Sequence, residues 1–132
     1  MYIVDTNIVI WVLRGRQEYV DILQKLKYTQ PLSISVITIA EVYKNMYPEE
    51  VLRTEGVLGD FEIWNVTSII AKQSGMYWNQ YHKRFGSLHL LDCIIAATAR
   101  EHDLTLLTLN TRHFPMQDIR VKDPLKKERK LK

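Results

Sequence analysis

Tyr2-Ile3-Val4-Asp5-Thr6-Asn7 opens the chain. An apolar β-type run that stops on a carboxylate and passes at once into Thr and Asn reads as a strand delivering its last side chain to a site. Open α/β sheets bind their ligands at the carboxyl ends of parallel strands. Alone, the tripeptide is a weak signal, since Asp is also a common helix cap. It gains weight because two further acids, Glu41 and Asp92, stand in matching contexts.

Outward from this segment, short β-rich runs alternate with longer helical ones. Residues 2–5 form the first expected strand. Residues 7–13 are apolar at most positions, as in a buried helix, and Arg14-Gly15 closes it with a residue suited to a left-handed turn. Val20, Ile22, Leu23 and Leu26 recur at helical spacing. Residues 32–36 alternate as a strand does, then run into a helix capped by Ser35 or Thr38. Pro48-Glu49-Glu50 suits a helix start, while Gly56 and Gly59 argue against a long continuous helix behind it. A strand is expected at 61–66. Thr67 then caps a helix on which Ile70, Ser74, Tyr77, Tyr81 and Phe85 share a face, and Gly86 ends it. A further helix over 90–102 carries Ala96, Ala97 and Ala99, and strands follow at 105–108 and 119–121. Strands separated by helices, without Asn-Gly hairpin signals, imply crossovers and a mainly parallel sheet of four to five strands. The expected class is a three-layer α/β domain.

The 132 residues suffice for one core and are too few for two ordinary domains. Cys93 is the only cysteine, so no intrachain disulfide and no Cys-rich zinc site can form; it is assigned to packing. The apolar start lacks a basic leader and is interrupted by Asp5 and Asn7, against a signal peptide. No apolar run approaches the roughly 20 residues of a membrane helix, and a cytoplasmic location is expected. Net charge is +3, concentrated in a tail where Lys122, Lys126, Lys127, Arg129, Lys130 and Lys132 crowd together. Such a tail either neutralises nucleic-acid phosphates or is a solvated terminus. Glycine-rich phosphate loops are absent, which excludes P-loop nucleotide hydrolysis.

Each acid has a structural explanation when taken singly. Asp5 can cap a helix, Glu41 can occupy a solvated face, and Asp92 can complement a helix N-terminus. Jointly they differ: all three lie where strands end or helices start, places that converge at one edge of a parallel sheet. Carboxylates gathered there repel one another unless protons or a cation compensate. An oxygen-only set suits Mg²⁺ or Mn²⁺, which also bind phosphate oxygens and activate water. That is the chemistry of phosphodiester hydrolysis.

Ile3-Val4-Asp5-Thr6-Asn7, Ile39-Ala40-Glu41, the segment from Leu91-Asp92-Cys93 through Ala96-Ala97-Thr98-Ala99, and Leu107-Thr108-Leu109-Asn110-Thr111-Arg112-His113-Phe114 resemble the successive motifs of PIN-domain ribonucleases. Chain length and the last two motifs are most similar to the toxins of type II VapBC systems. The resemblance implies a PIN domain over 1–121 followed by a basic tail over 122–132. It implies an Mg²⁺- or Mn²⁺-dependent endoribonuclease acting on cellular RNA, with Asp5, Glu41 and Asp92 as metal-site acids. It places Asn110 as a further catalytic position and Thr6, Asn7 and Thr108 in support. Family members often carry an acid at the position of Asn110 or near that of His113, so a second metal ion is in doubt here.

The resemblance further implies a cognate antitoxin and a homodimer, which with the antitoxin builds a heterotetramer or larger assembly. The antitoxin's expected groove is lined by Val12, Leu13, Leu23, Val42, Tyr43 and Met46. His82, Lys83, Arg84 and His113 are candidates for RNA contact. For His82-Lys83-Arg84 the competing role is complementing a helix C-terminus, and for His113 a loop position beside a packed Phe114. Tyr77, Trp78 and Tyr81 have the spacing of a buried stripe, so core or dimer contact is preferred to base stacking. Two other readings stay open: an RNA-processing PIN nuclease that is not a toxin, and a non-catalytic RNA-binding scaffold.

Overall fold

Neighbouring side chains of a strand point to opposite faces, and here both faces are dry. In the computed structural model, which describes residues 1–126, Ile3 and Leu106 enter one apolar core while Val4 and Leu107 enter another. The strands are β1 (Tyr2–Val4), β2 (Leu32–Ser35), β3 (Glu62–Trp64), β4 (Thr105–Leu107) and β5 (Arg120–Lys122). They form one sheet in the order β3-β2-β1-β4-β5 with every pairing parallel. This is the upper end of the expected strand count.

Helices α1 (Thr6–Leu13), α2 (Gln17–Lys27), α3 (Val36–Lys44) and α4 (Val51–Leu58) contribute Ile8, Val9, Leu23, Val42 and Leu58 to the core of Val4. On the other face, α5 (Ser68–Tyr81) and α6 (Leu90–Glu101) supply Ile70, Tyr77, Cys93, Ile95 and the three alanines. Small side chains on α6 let the helix lie close to its neighbours, and Ala96, Ala97 and Ala99 are all but inaccessible. Cys93 is fully buried among them, and that burial pushes its thiol up to about 11, so packing is its role.

Local signals set the element ends. Ser35, rather than Thr38, caps α3 by accepting from the Ile37 amide, and Thr67 caps α5 by accepting from Ile70. Gly15 takes a φ of +77° behind α1, where a side chain would be strained. As expected, no long continuous helix follows Pro48: a single 3₁₀ turn over Pro48–Glu50 leads into the eight-residue α4, which passes through Gly56 and is closed at Gly59. Glycine costs about 1 kcal/mol in a helix interior, and burial of Thr54 and Leu58 on the inner face offsets it. Helix α5 ends at Tyr81, four residues early, and Phe85 stays partly exposed. The chain turns there because Leu88 must reach the core.

β5 extends to Lys122, whose register partner is Leu107. Lys126 closes the described part of the basic tail, while Lys127, Arg129, Lys130 and Lys132 lie outside the described residues. Among the described residues no helix is long and apolar enough to cross a membrane.

Candidate active site

The chain leaves β1 for β2 and β3 on one side, then returns to place β4 and β5 on the other. The crevice above the carboxyl ends of β1 and β4 is therefore the topological switch point, where open parallel sheets bind ligands. Asp5 follows β1 and Thr108 follows β4. The Asp5 amide donates to the Leu107 carbonyl at 2.9 Å, and the Thr108 hydroxyl donates to Asp5 Oδ2 at 2.7 Å. Thr108 Oγ1 in turn accepts from the Asn110 amide at 3.0 Å, fixing the start of the loop after β4.

Asp5 heads α1, and its carboxylate accepts from Thr108 at the end of β4 rather than from a cap position of the helix. It is almost wholly buried, at 4 % exposure. Loss of solvent is the main reason its pKa rises from 3.8 to about 6; the Thr108 hydroxyl and Thr6 amide oppose the rise, and the charges of Asp92 and Glu41 add to it. Asp92 and Glu41 thus each stand within electrostatic reach of Asp5.

Glu41 lies on the inner side of α3, where the Thr6 hydroxyl approaches its Oε1 at 2.7 Å and Thr38 Oγ1 at 3.0 Å. Asp92 occupies the first turn of α6, and its Oδ2 accepts from the His89 amide at 3.4 Å. Burial also raises Asp92, opposed by that amide and by the positive charges of His113 and His89. Asp92 thus caps α6 while its charge also reaches Asp5.

The donor set is entirely oxygen, half-buried or deeper, and overloaded with negative charge, which is what a hard divalent cation requires. Among the described residues, no three His, Cys, Asp or Glu side chains close into a cluster around one point. Mg²⁺ tolerates this, since it keeps several waters and takes one or two protein carboxylates.

Asn7 sits half-buried in the first turn of α1. His113 ends a short 3₁₀ turn, Thr111–His113, next to a buried Phe114, and its charge reaches Asp92. The His82 ring stacks on Trp78 at 3.8 Å, and its Nδ1 lies 2.8 Å from the Trp78 carbonyl. Lys83 and Arg84 are exposed in the turn behind α5. Tyr77 is core, as its spacing indicates, whereas Trp78 is 38 % exposed.

Sequence reading missed Thr38 and His89. Each lies three residues ahead of an acid on the same helical face, Thr38 before Glu41 and His89 before Asp92. That spacing is the signal that could have found them.

The six expected groove residues do not line one groove. Leu13, Val42 and Met46 share a cavity of about 130 Å³ with Ile10, Arg14 and Glu50. Val12 and Leu23 line a second hollow and Tyr43 a third, because α4 lies between them.

A five-stranded, all-parallel sheet flanked by helices, with Asp5 at its switch point, is a PIN-like α/β fold. The PIN domain profile matches residues 2–119, and the chain belongs to the PIN-domain family. Within it, the chain is 36 % identical over 116 residues to Ribonuclease VapC10 of Mycobacterium tuberculosis, covering 88 % of this chain and 87 % of that protein. It is 32 % identical to Ribonuclease VapC2 of Haemophilus influenzae, covering 86 % and 89 %. Among solved structures, a toxin–antitoxin complex from Klebsiella pneumoniae superposes with a TM-score of 0.77 at 34 % identity, covering 96 % of this chain and 99 % of that one. DNA-bound VapBC from Salmonella typhimurium gives 0.79 at 25 % identity, covering 93 % and 97 %.

Proposed function

We propose that the chain is a toxin-type endoribonuclease of the VapC kind, which hydrolyses phosphodiester bonds of cellular RNA in the cytoplasm and is restrained by a cognate antitoxin. The observation that carries this reading is the buried Asp5 carboxylate at the switch point, raised by burial and by the charges of Asp92 and Glu41. Ribonuclease relatives spanning most of the chain, and solved toxin–antitoxin complexes of the same fold, support it.

Asp5, Asp92 and Glu41 would hold Mg²⁺ or Mn²⁺. When bound, such an ion acidifies water and neutralises charge developing on the phosphate. The remaining work falls to the chain. Thr108 orients Asp5, and Thr6 orients Glu41. The His113 and His89 charges keep Asp92 closer to its ionised form than burial alone would leave it. Asn110 offers an amide rather than a carboxylate beside this group, which favours one ion over two. His113, whose charge reaches Asp92, with Lys83 and Arg84 behind α5, would meet RNA phosphates.

The test is twofold. Purified protein with Mn²⁺ should cleave RNA to products carrying a 5′-phosphate, and Asp92→Asn should not. Expression of the chain alone should arrest growth, with rescue by the product of the adjoining antitoxin gene. Harmless overexpression of a folded, active nuclease would instead identify an RNA-processing enzyme.

A further inference from the structure

The Thr6 hydroxyl has two oxygen neighbours and only one proton. Glu41 Oε1 lies at 2.7 Å and Thr38 Oγ1 at 3.0 Å. The shorter contact, to a carboxylate, takes the proton, because a charged acceptor binds a hydroxyl proton more strongly than a neutral one. The contact between the two threonines is then a hydrogen bond only if Thr38 donates to Thr6. Thr38 is fully buried, and a buried hydroxyl is costly unless paired.

We propose that Thr38 is a positioning residue for the nuclease reaction: its hydroxyl donates to Thr6, which donates to Glu41. The relay ties α1 to α3 and aims one oxygen of Glu41, leaving the other lone pairs of the carboxylate for the crevice. Thr38 and Glu41 lie three residues apart on α3, so both face α1, and Thr6 bridges them from its first turn. A parallel chain serves Asp5, in which the Asn110 amide donates to Thr108 and Thr108 donates to Asp5. Each of these two acids is thus held by a buried threonine whose own proton direction is set by a second donor.

This inference rests on the metal-ion reading above, and Thr38→Val tests it, since valine keeps the shape and removes the hydroxyl. Two readouts are taken on the full-length protein: the melting-temperature rise on titration with Mn²⁺ alone, and the rate of RNA cleavage. Loss of an outer partner of a metal ligand should weaken Mn²⁺ binding and cleavage about tenfold. Thr38→Ser, which keeps the hydroxyl, should restore both. In a Thr6→Val background, Thr38→Val should add no further loss, because Thr38 acts through Thr6. The relay is overturned if Thr38→Val folds and matches wild type in both readouts, or if its effect is undiminished without the Thr6 hydroxyl. Should Thr38→Val fail to fold, Thr38→Ser decides: wild-type Mn²⁺ binding and cleavage support the relay, and losses equal to those of Thr6→Val overturn it. A wild-type chain that neither binds Mn²⁺ nor cleaves RNA defeats the metal-ion reading itself, and the relay with it.

Discussion

Thr108 donates to the buried carboxylate of Asp5 across 103 positions of sequence at 2.7 Å, binding the end of β4 to the end of β1. These two strands flank the switch point, so one hydrogen bond both closes the sheet's centre and orients its principal acid. Removing the hydroxyl with Thr108→Val takes away the strongest interaction that opposes the rise in the Asp5 pKa. Asp5 should then titrate above its present value of about 6. Carboxyl ¹³C shifts followed against pH in metal-free protein would measure this, and an unchanged titration would show that the bond does not hold the ionised form. RNA cleavage near neutral pH should fall, since more of the protein carries a protonated Asp5.

Asp5→Asn should abolish cleavage and stabilise the metal-free protein at pH 7. The sign follows from linkage. The folded pKa of about 6 exceeds the reference of 3.8, so the native state holds the proton more tightly. Stability contributed by this group is full below the lower value and is lost as pH rises through the upper one. The shift corresponds to at most about 3 kcal/mol, which the amide variant recovers. Urea melts at pH 4 and pH 7 should therefore differ less for Asp5→Asn than for wild type. Equal pH slopes would contradict the assignment. Saturating Mn²⁺ should stabilise wild type and leave the variant almost unmoved.

A homodimer is expected from apolar surface left in water. On α5, Ile69 is 60 % and Met76 62 % exposed, and Leu52 on α4 is 89 % exposed. Patches of this kind on a small chain mark interaction surfaces. Sedimentation at micromolar concentration should give twice the chain mass, and Met76→Glu with Ile69→Lys should shift it towards monomer. A wild-type monomer at that concentration would refute the dimer.

Antitoxin binding should centre on the hollow of Ile10, Leu13, Val42 and Met46 rather than on all six residues first expected. Apolar anchors in such a hollow give most of the affinity in helix-in-groove recognition. Met46→Glu should weaken the complex by about 2 kcal/mol or more, on the scale of a truncated interface hot spot. Cleavage by the free toxin should be unchanged. Calorimetry with the partner's C-terminal segment would measure the loss, and full affinity would move the interface elsewhere.

Much of this architecture was legible before any coordinates. Alternating apolar runs revealed the strands, Thr67 and Gly15 marked element ends, and Asp5 behind an apolar run marked the carboxyl end of the first strand. Those are local properties: side-chain period, cap chemistry and backbone freedom act within a few residues of their cause. Phe85 departs for a complementary reason: helical spacing argues for a helix reaching it, whereas α5 ends at Tyr81 and Leu88 is buried in the core.

What no local pattern could contain is the order of the strands. Ile3 and Val4 say that both faces of β1 are buried, but not that β4 lies beside it. That neighbour is chosen by packing two apolar layers on one sheet, and it alone brings Thr108 to Asp5. The same holds for Thr38 and His89. Their spacing from Glu41 and Asp92 was visible in the chain, yet only the approach of α1 to α3 brings Thr38 to Thr6, and only the approach of the His113 turn to α6 adds a second histidine beside Asp92. The residue types and their order thus determined which chemistry the chain carries. Tertiary packing decided which side chains meet, because desolvation and hydrogen bonding act through distance in space.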